Sequence, residues 1–315
     1  KKSGTAYIDD FEATKTSLDL KSRSAWVLAS TPQKQSIFPE AETNDELAYG
    51  YNRAKLAWYV IDPLFLRSSP TTPDHIKNDK DLQSKHLVRE VYENEIFPDR
   101  ETPVGLPTNI PVLDLAFYPQ ERGPYNFDTN PSQYARGVNP DGTLRDPETR
   151  WGGMMRKIET SDFEAANIEF IEFWVMDPFV NDTLRDNKGG DLFFNLGDIS
   201  EDVLKDSRKS FENGLPVTAE LKDVDSTLWG RVSTQQSLVK EFDNNIESRR
   251  YQDIGFDGLN DDDEKTFLNS YLESMKKILD QDVLTKFQAD PSSDNYHYYR
   301  GSDFDQEEVG ILDRY

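Results

Sequence analysis

Residues 150–179 constrain the fold most. Arg150-Trp-Gly-Gly-Met-Met-Arg-Lys leads into Asp162-Phe-Glu-Ala-Ala-Asn-Ile-Glu-Phe-Ile-Glu-Phe-Trp-Val-Met-Asp-Pro-Phe179. Gly152 and Gly153 let a neighbouring chain approach closely, while Phe, Trp and Ile suit a pleated, packed surface. In a strand, Ile171, Phe173 and Val175 share one face, and Ile168, Phe170, Trp174 and Met176 share the other. Glu169 and Glu172 interrupt opposite faces. A strand apolar on both sides belongs in a sheet covered on both faces, so the pattern predicts Phe173 and Trp174 sealed between layers. Ile168, Ile171 and Val175 also fit helical spacing.

Elsewhere the apolar runs are short and bounded by Pro, Asp or Ser. Tyr7–Glu12, Leu18–Leu20, Ala25–Ala29, Ala54–Ile61, Val112–Tyr118 and Gly189–Gly197 read as strands. Residues 31–52, 67–81 and 128–149 read as loops, 81–97 as a helix stopped by Pro98, and Asp198 as a cap for a short helix through Leu204. Many short strands with long loops predict a mainly β protein with a jelly-roll-like, galactose-binding-like β-sandwich over residues 1–240. Residues 241–315 then form an acidic loop, a helix and an extended tail. Phe267, Leu268, Tyr271, Leu272, Met275, Ile278 and Leu279 place that helix over 266–279.

Charge and composition exclude several functions. The 315 residues carry 59 acidic against 36 basic side chains, a net charge of -23, which repels nucleic acid in the absence of a basic patch. There is no cysteine, hence no disulfide, thiolate metal site or cysteine nucleophile. His75, His86 and His297 are far apart and form no zinc motif. The strongest apolar run, Leu56–Ile61, is far shorter than the roughly 20 residues of a membrane helix. Lys1-Lys-Ser-Gly is followed by no signal-peptide core, and the missing initial methionine is read as the start of a piece of a longer chain.

One loop has metal-ligand spacing. Counting from Asp253, Asp257 stands at position five, Gly258 at six, Leu259 at seven, Asp261 at nine and Glu264 at twelve. This is EF-hand calcium spacing with Gly255 where the third-position ligand would be. Leu259 would offer its carbonyl and Glu264 both oxygens. An acidic helix N-terminus, complementing the helix dipole, accounts for Asp261–Glu264 equally well. Asp9, Asp10 and Glu12 are carboxylates of the type a glycosidase pairs, in a chain where acids are abundant. Trp58, Trp151, Trp174 and Trp229 could stack on sugar, but their apolar neighbours favour core packing. No Gly-x-Ser-x-Gly elbow, Walker loop or dinucleotide fingerprint occurs, and no enzyme is expected.

Asp9-Asp10-Phe11-Glu12, Trp26–Ser30, Glu121–Asn126, residues 150–179, Gln252–Leu259 and Ile311–Tyr315 together resemble the SprA-like family. These are giant outer-membrane translocon proteins of the Bacteroidetes type IX secretion and gliding-motility machinery. The family signature falls on Trp151, Gly152, Gly153, Asp162, Phe163, Asn167, Glu169, Glu172, Phe173, Trp174, Asp177, Pro178 and Phe179. Asp9–Glu12 also resemble the opening of galactose-binding-like jelly rolls, which makes a cell-surface carbohydrate-binding module the alternative. The resemblance implies a non-catalytic structural and interaction region of a secretion channel at the outer membrane, outside the barrel, on the extracellular side or as part of a periplasmic portion. Its implied partners are the rest of the barrel, a porin-like protein, a plug protein and secreted cargo, with no nucleic acid.

Overall fold

The computed structural model describes residues 18–43, 47–99, 108–160, 162–166, 168–183, 188–208, 215, 220–234, 245, 247, 251–252 and 255–315. Asp9, Asp10, Phe11, Glu12 and Asp253 lie outside the described residues. The architecture is mixed α/β, built from short helices and four two-stranded antiparallel sheets. The jelly-roll-like β-sandwich expected from the sequence is not formed, and with it goes the picture of a β-sandwich fragment of a translocon.

The largest sheet pairs β2 (Ala54–Tyr59) with β5 (Asp114–Arg122), Leu56 opposite Phe117 and Trp58 opposite Leu115. Trp151 runs along the other edge of β2, where Ala54 N–H donates to its carbonyl (2.7 Å). The chain then pairs β6 (Met154–Met155) with β1 (Val27–Leu28). Gly152 is required there, because a Cβ would stand 2.7 Å from that of Leu56 and 3.1 Å from the Phe117 ring. Trp151 lies edge-on to Phe38 at 5.6 Å, under the Arg53 guanidinium at 5.2 Å, and donates from Nε1 to Glu40 Oε1 (3.0 Å).

The main core gathers Leu28, Tyr49, Tyr125, Phe127, Trp229, Tyr271 and Met275, so residues on both sides of position 240 share it. A second core joins Tyr59, Phe65, Ile76 and Val88 to Ile311. Tyr315 stacks on Tyr59 at 4.5 Å and accepts from the Asp62 backbone N–H (2.8 Å).

Two sequence expectations fail for one reason. Residues 168–178 and 190–196 form no strand, and Phe173 and Trp174 are 53 % and 65 % exposed instead of sealed. Alternation supplies strand propensity, but a strand exists only once it pairs with a neighbouring edge, and among the described residues these segments pair with none. The helix expected over 81–97 is divided into α2 (Lys80–Ser84) and α3 (Glu93–Ile96) by strand β3 (Val91–Tyr92). No helix follows Asp198.

The long loops are held by one buried cation. Arg150 donates to the Asp128 carboxylate (3.0 Å) and to the carbonyls of Tyr51 (2.7 Å), Gly137 (3.0 Å) and Arg145 (3.0 Å). Both side chains of the ion pair are 0 % exposed. Burial holds the Asp128 carboxyl above its ordinary value, against the opposing pull of Arg150. Asp128→Ala strands the guanidinium in the core and is expected to cost about 3–5 kcal/mol in urea unfolding, whereas replacing both partners by apolar residues of similar volume costs much less.

Candidate cation site

The hairpin of β7 (Val224–Ser226) and β8 (Arg231–Ser233) buries Trp229 against Tyr125 and Phe127. Gly230 lets the Asp257 carbonyl come against the turn, where Arg231 N–H donates to it (2.6 Å). Gly258 has φ +71 and receives the Arg231 carbonyl in the space a Cβ would fill, so glycine is dictated twice over. Tyr125 Oη donates to the Phe256 carbonyl. Residues 255–259 are therefore pinned across the end of the hairpin.

Asn260 then caps α4 (Asp261–Phe267), accepting from the N–H groups of Asp262 (3.1 Å) and Asp263 (3.0 Å). Helix α5 (Asn269–Met275) follows, so the periodic stretch expected over 266–279 is two helices and a turn. Helix α6 (Gln281–Ala289) stops before Asp290-Pro291, since proline cannot extend it. Ser293, with φ 56, turns the chain back toward α4.

Those two returns bring carboxylates together. Asp257, Glu264 and Asp294 form one group of ligand atoms within 4.8 Å of one another, all three residues buried, and Asp261, Glu264 and Asp290 form another. Glu264 belongs to both. Ser292 N–H donates to Glu264 Oε2 (3.0 Å), and its hydroxyl donates to Asp257 Oδ2. Asp294 accepts from Phe256 N–H (2.5 Å) and Asp257 N–H (3.3 Å), and Asp257 accepts from Leu259 N–H (2.9 Å). Clustered hard oxygens of this kind could coordinate a divalent cation.

Of the loop residues singled out in the sequence, Asp257 and Asp261 each meet Glu264, in separate groups. Leu259 is fully buried beside them, and Asp253 lies outside the described residues. Asp290 and Asp294 were missed. Their signal was Asp290-Pro-Ser-Ser-Asp294 directly after an amphipathic helix, but its distance from residue 257 in sequence hid it. Gly255 explains the gap at loop position three: a Cβ there would run into the Asp294 carboxylate. The ligand absent from the local spacing is supplied from elsewhere in the chain.

Trp151 and Gly152–Gly153 belong to the packed seam described above, and Trp58 packs at the edge of the main core. Asp177 and Pro178 are exposed next to Phe173 and Trp174. Of the histidines, His75 faces Val309 and Arg314, His86 the Asp177 carbonyl (2.8 Å), and His297 Asp303 (3.2 Å); they do not converge.

Burial, and then the Asp257 charge, pushes the Glu264 carboxyl up to about 9, and burial pushes Asp294 up to about 6. A carboxyl raised on folding binds its proton more tightly folded than unfolded, so it stabilises at low pH and that contribution drains away as pH rises. No protein-family model matches the chain, and no curated protein matches it.

With a chelator present, the melting temperature is therefore expected to fall between about pH 5 and pH 9. Glu264→Gln should flatten most of that fall. Gly255→Ala should displace Asp294 and weaken the response of the melting temperature to a divalent cation; an unaltered response would show that Asp294 is no ligand.

Proposed function

We propose that this chain is a non-catalytic structural and interaction region whose residues 255–294 are set by a bound calcium ion. The observation that carries the calcium reading is the pair of carboxylate groups, Asp257–Glu264–Asp294 and Asp261–Glu264–Asp290, that share Glu264. Calcium takes six to eight oxygens in flexible geometry, which suits carboxylates gathered from residues 257–264 and 290–294 better than the strict octahedron of magnesium. The cation would replace the proton that Glu264 otherwise holds and offset the mutual repulsion of the acids.

The interaction part of the reading draws on the exposed aromatics of residues 168–199 and on the resemblance to the translocon family. That resemblance is also the support for a non-barrel position at the outer membrane, facing outward. On this proposal the partners are the remainder of the barrel chain, the porin-like and plug proteins and the cargo. No helix in the described residues is long and apolar enough to cross a membrane, which leaves a β-barrel elsewhere in a longer chain untouched. The sugar-platform alternative finds less support, because Trp229 is buried, Trp58 and Trp151 are packed at the main core, and Trp174 alone of the four stands exposed.

Calcium at 100 times its dissociation constant should stabilise the chain by about 2.7 kcal/mol, read as a rise in melting temperature that chelation reverses. Glu264→Gln separates the two roles of that carboxylate: at pH 8 without metal it should melt higher than the native chain, and calcium should no longer raise it. A native melting temperature indifferent to both chelator and calcium would dismiss the site. For the interaction reading, cross-linking from this region in intact cells should capture secretion components; no capture, with secretion intact after its deletion, would defeat it.

A further inference from the structure

Residues 168–178 and 190–199 meet water unlike any other described part of the chain. Phe170, Phe173, Trp174, Val175, Leu192 and Phe194 are between 52 % and 79 % exposed. Single exposed apolar residues are ordinary, whereas a contiguous set marks an interaction surface. The backbone is equally unsatisfied: residues 169–178 and 190–199 make no backbone–backbone hydrogen bond among the described residues.

Two contacts show how the arms lie. Phe173 meets Phe194 with ring centroids 5.6 Å apart, and the Phe179 ring stands 3.7 Å from where a Cβ on Gly189 would be. The first arm thus advances as the second recedes, the relation of an antiparallel pair. The arms are moored to the body. His86 Nε2 contacts the Asp177 carbonyl (2.8 Å), Trp174 lies edge-on to Phe97 (6.3 Å), Gln35 donates to Asn195 (2.8 Å), and Ser30 donates to the Ser200 carbonyl (2.8 Å). They form a held, incomplete hairpin with edges and faces uncovered.

Charge decides what covers it. Glu169, Glu172, Asp177, Asp191 and Asp198 are exposed and in no ion pair among the described residues, and Lys188 is the single described base in residues 168–199. A second copy would set five like charges against five, on a chain already at -23. Lipid tails cannot hydrogen-bond the open amides, and burying the arms in them would take Glu169 and Glu172 along on opposite faces. A strand whose apolar side chains alternate with lysine or arginine meets all three demands at once. It pairs the amides, covers the rings and neutralises the acids.

We infer that residues 168–178 and 190–199 are a docking edge for an extended, apolar segment of a partner protein rimmed by lysine or arginine, added as a strand to the two arms. The inference rests on the interaction-region reading and names its surface and the chemistry of its partner.

To test it, the 315-residue chain is titrated with two amphipathic peptides of about ten residues, valine alternating with lysine or with glutamate, and hydrogen exchange is read at each amide. The lysine peptide is expected to slow exchange at residues 169–177 and 191–196 by tenfold or more, with weaker binding at about 0.5 M salt. Phe173→Ser and Trp174→Ser, both at exposed positions, should each weaken it about tenfold. Equal protection by the glutamate peptide overturns the proposal. So does protection by phosphatidylcholine vesicles in place of peptide, protection that tracks dimer formation in sedimentation, or no protection at all. A photo-cross-linker at Phe170 and, separately, at Lys276 of the parent protein in cells separates the two levels. Capture at Lys276 alone rejects this edge and leaves the interaction reading standing, whereas capture at neither rejects both.

Discussion

The Arg150–Asp128 pair is the interaction on which the rest of the molecule depends. A chain with short strands and long connections cannot hold itself together through extended ladders, since among the described residues each of the four sheets has only two strands. Its loops need a common attachment. Arg150 reaches three carbonyls and one carboxylate, one at Tyr51 and three along the 128–149 loop, in full burial. Desolvating the charges costs several kcal/mol per ion, and only a fully bonded guanidinium offsets that. The next residue, Trp151, then starts the seam along β2, and Gly152 and Gly153 let the seam close. Loop anchoring and sheet formation are consecutive in the sequence because one sets the direction of the other.

From that seam the order of the structure runs to the carboxylate cluster. β5 ends in Arg122, which donates to the carbonyls of Pro291 (3.0 Å) and Ser292 (3.4 Å) and so holds the loop carrying Asp290 and Asp294. Tyr125, three residues on, grips Phe256 from the other side of the cluster. The loops carrying the acids are thus held by neutral and cationic groups bonded to backbone carbonyls, while backbone N–H groups and the Ser292 hydroxyl take up part of the carboxylate oxygens. Packing energy from Trp229, Phe127 and Tyr271 offsets the repulsion that this arrangement concentrates.

Much of this was legible locally and little of it at long range. The β2 and β5 runs, the Asp261–Glu264 helix start and the oxygen spacing of residues 257–264 follow from nearest-neighbour chemistry. The sandwich did not follow, because short alternating runs report only the capacity to pair. Residues 168–178 are the clearest instance: their pattern fits a doubly covered strand, yet coverage is a property of neighbours, and the described chain supplies none. Asp294 is the converse, an ordinary acid in sequence that Gly255 admits to the heart of the cluster.

By itself, the sequence determined which atoms were available: acidic oxygens at turn and helix-start positions, glycines where backbones must touch, and an arginine beside a tryptophan. Tertiary structure alone decided that Asp290 and Asp294 join Glu264, and that Phe173 and Trp174 face water. The physical reason is range. Dihedral preference and spacing act over a few residues, whereas burial and charge clustering depend on segments that only the folded backbone brings together.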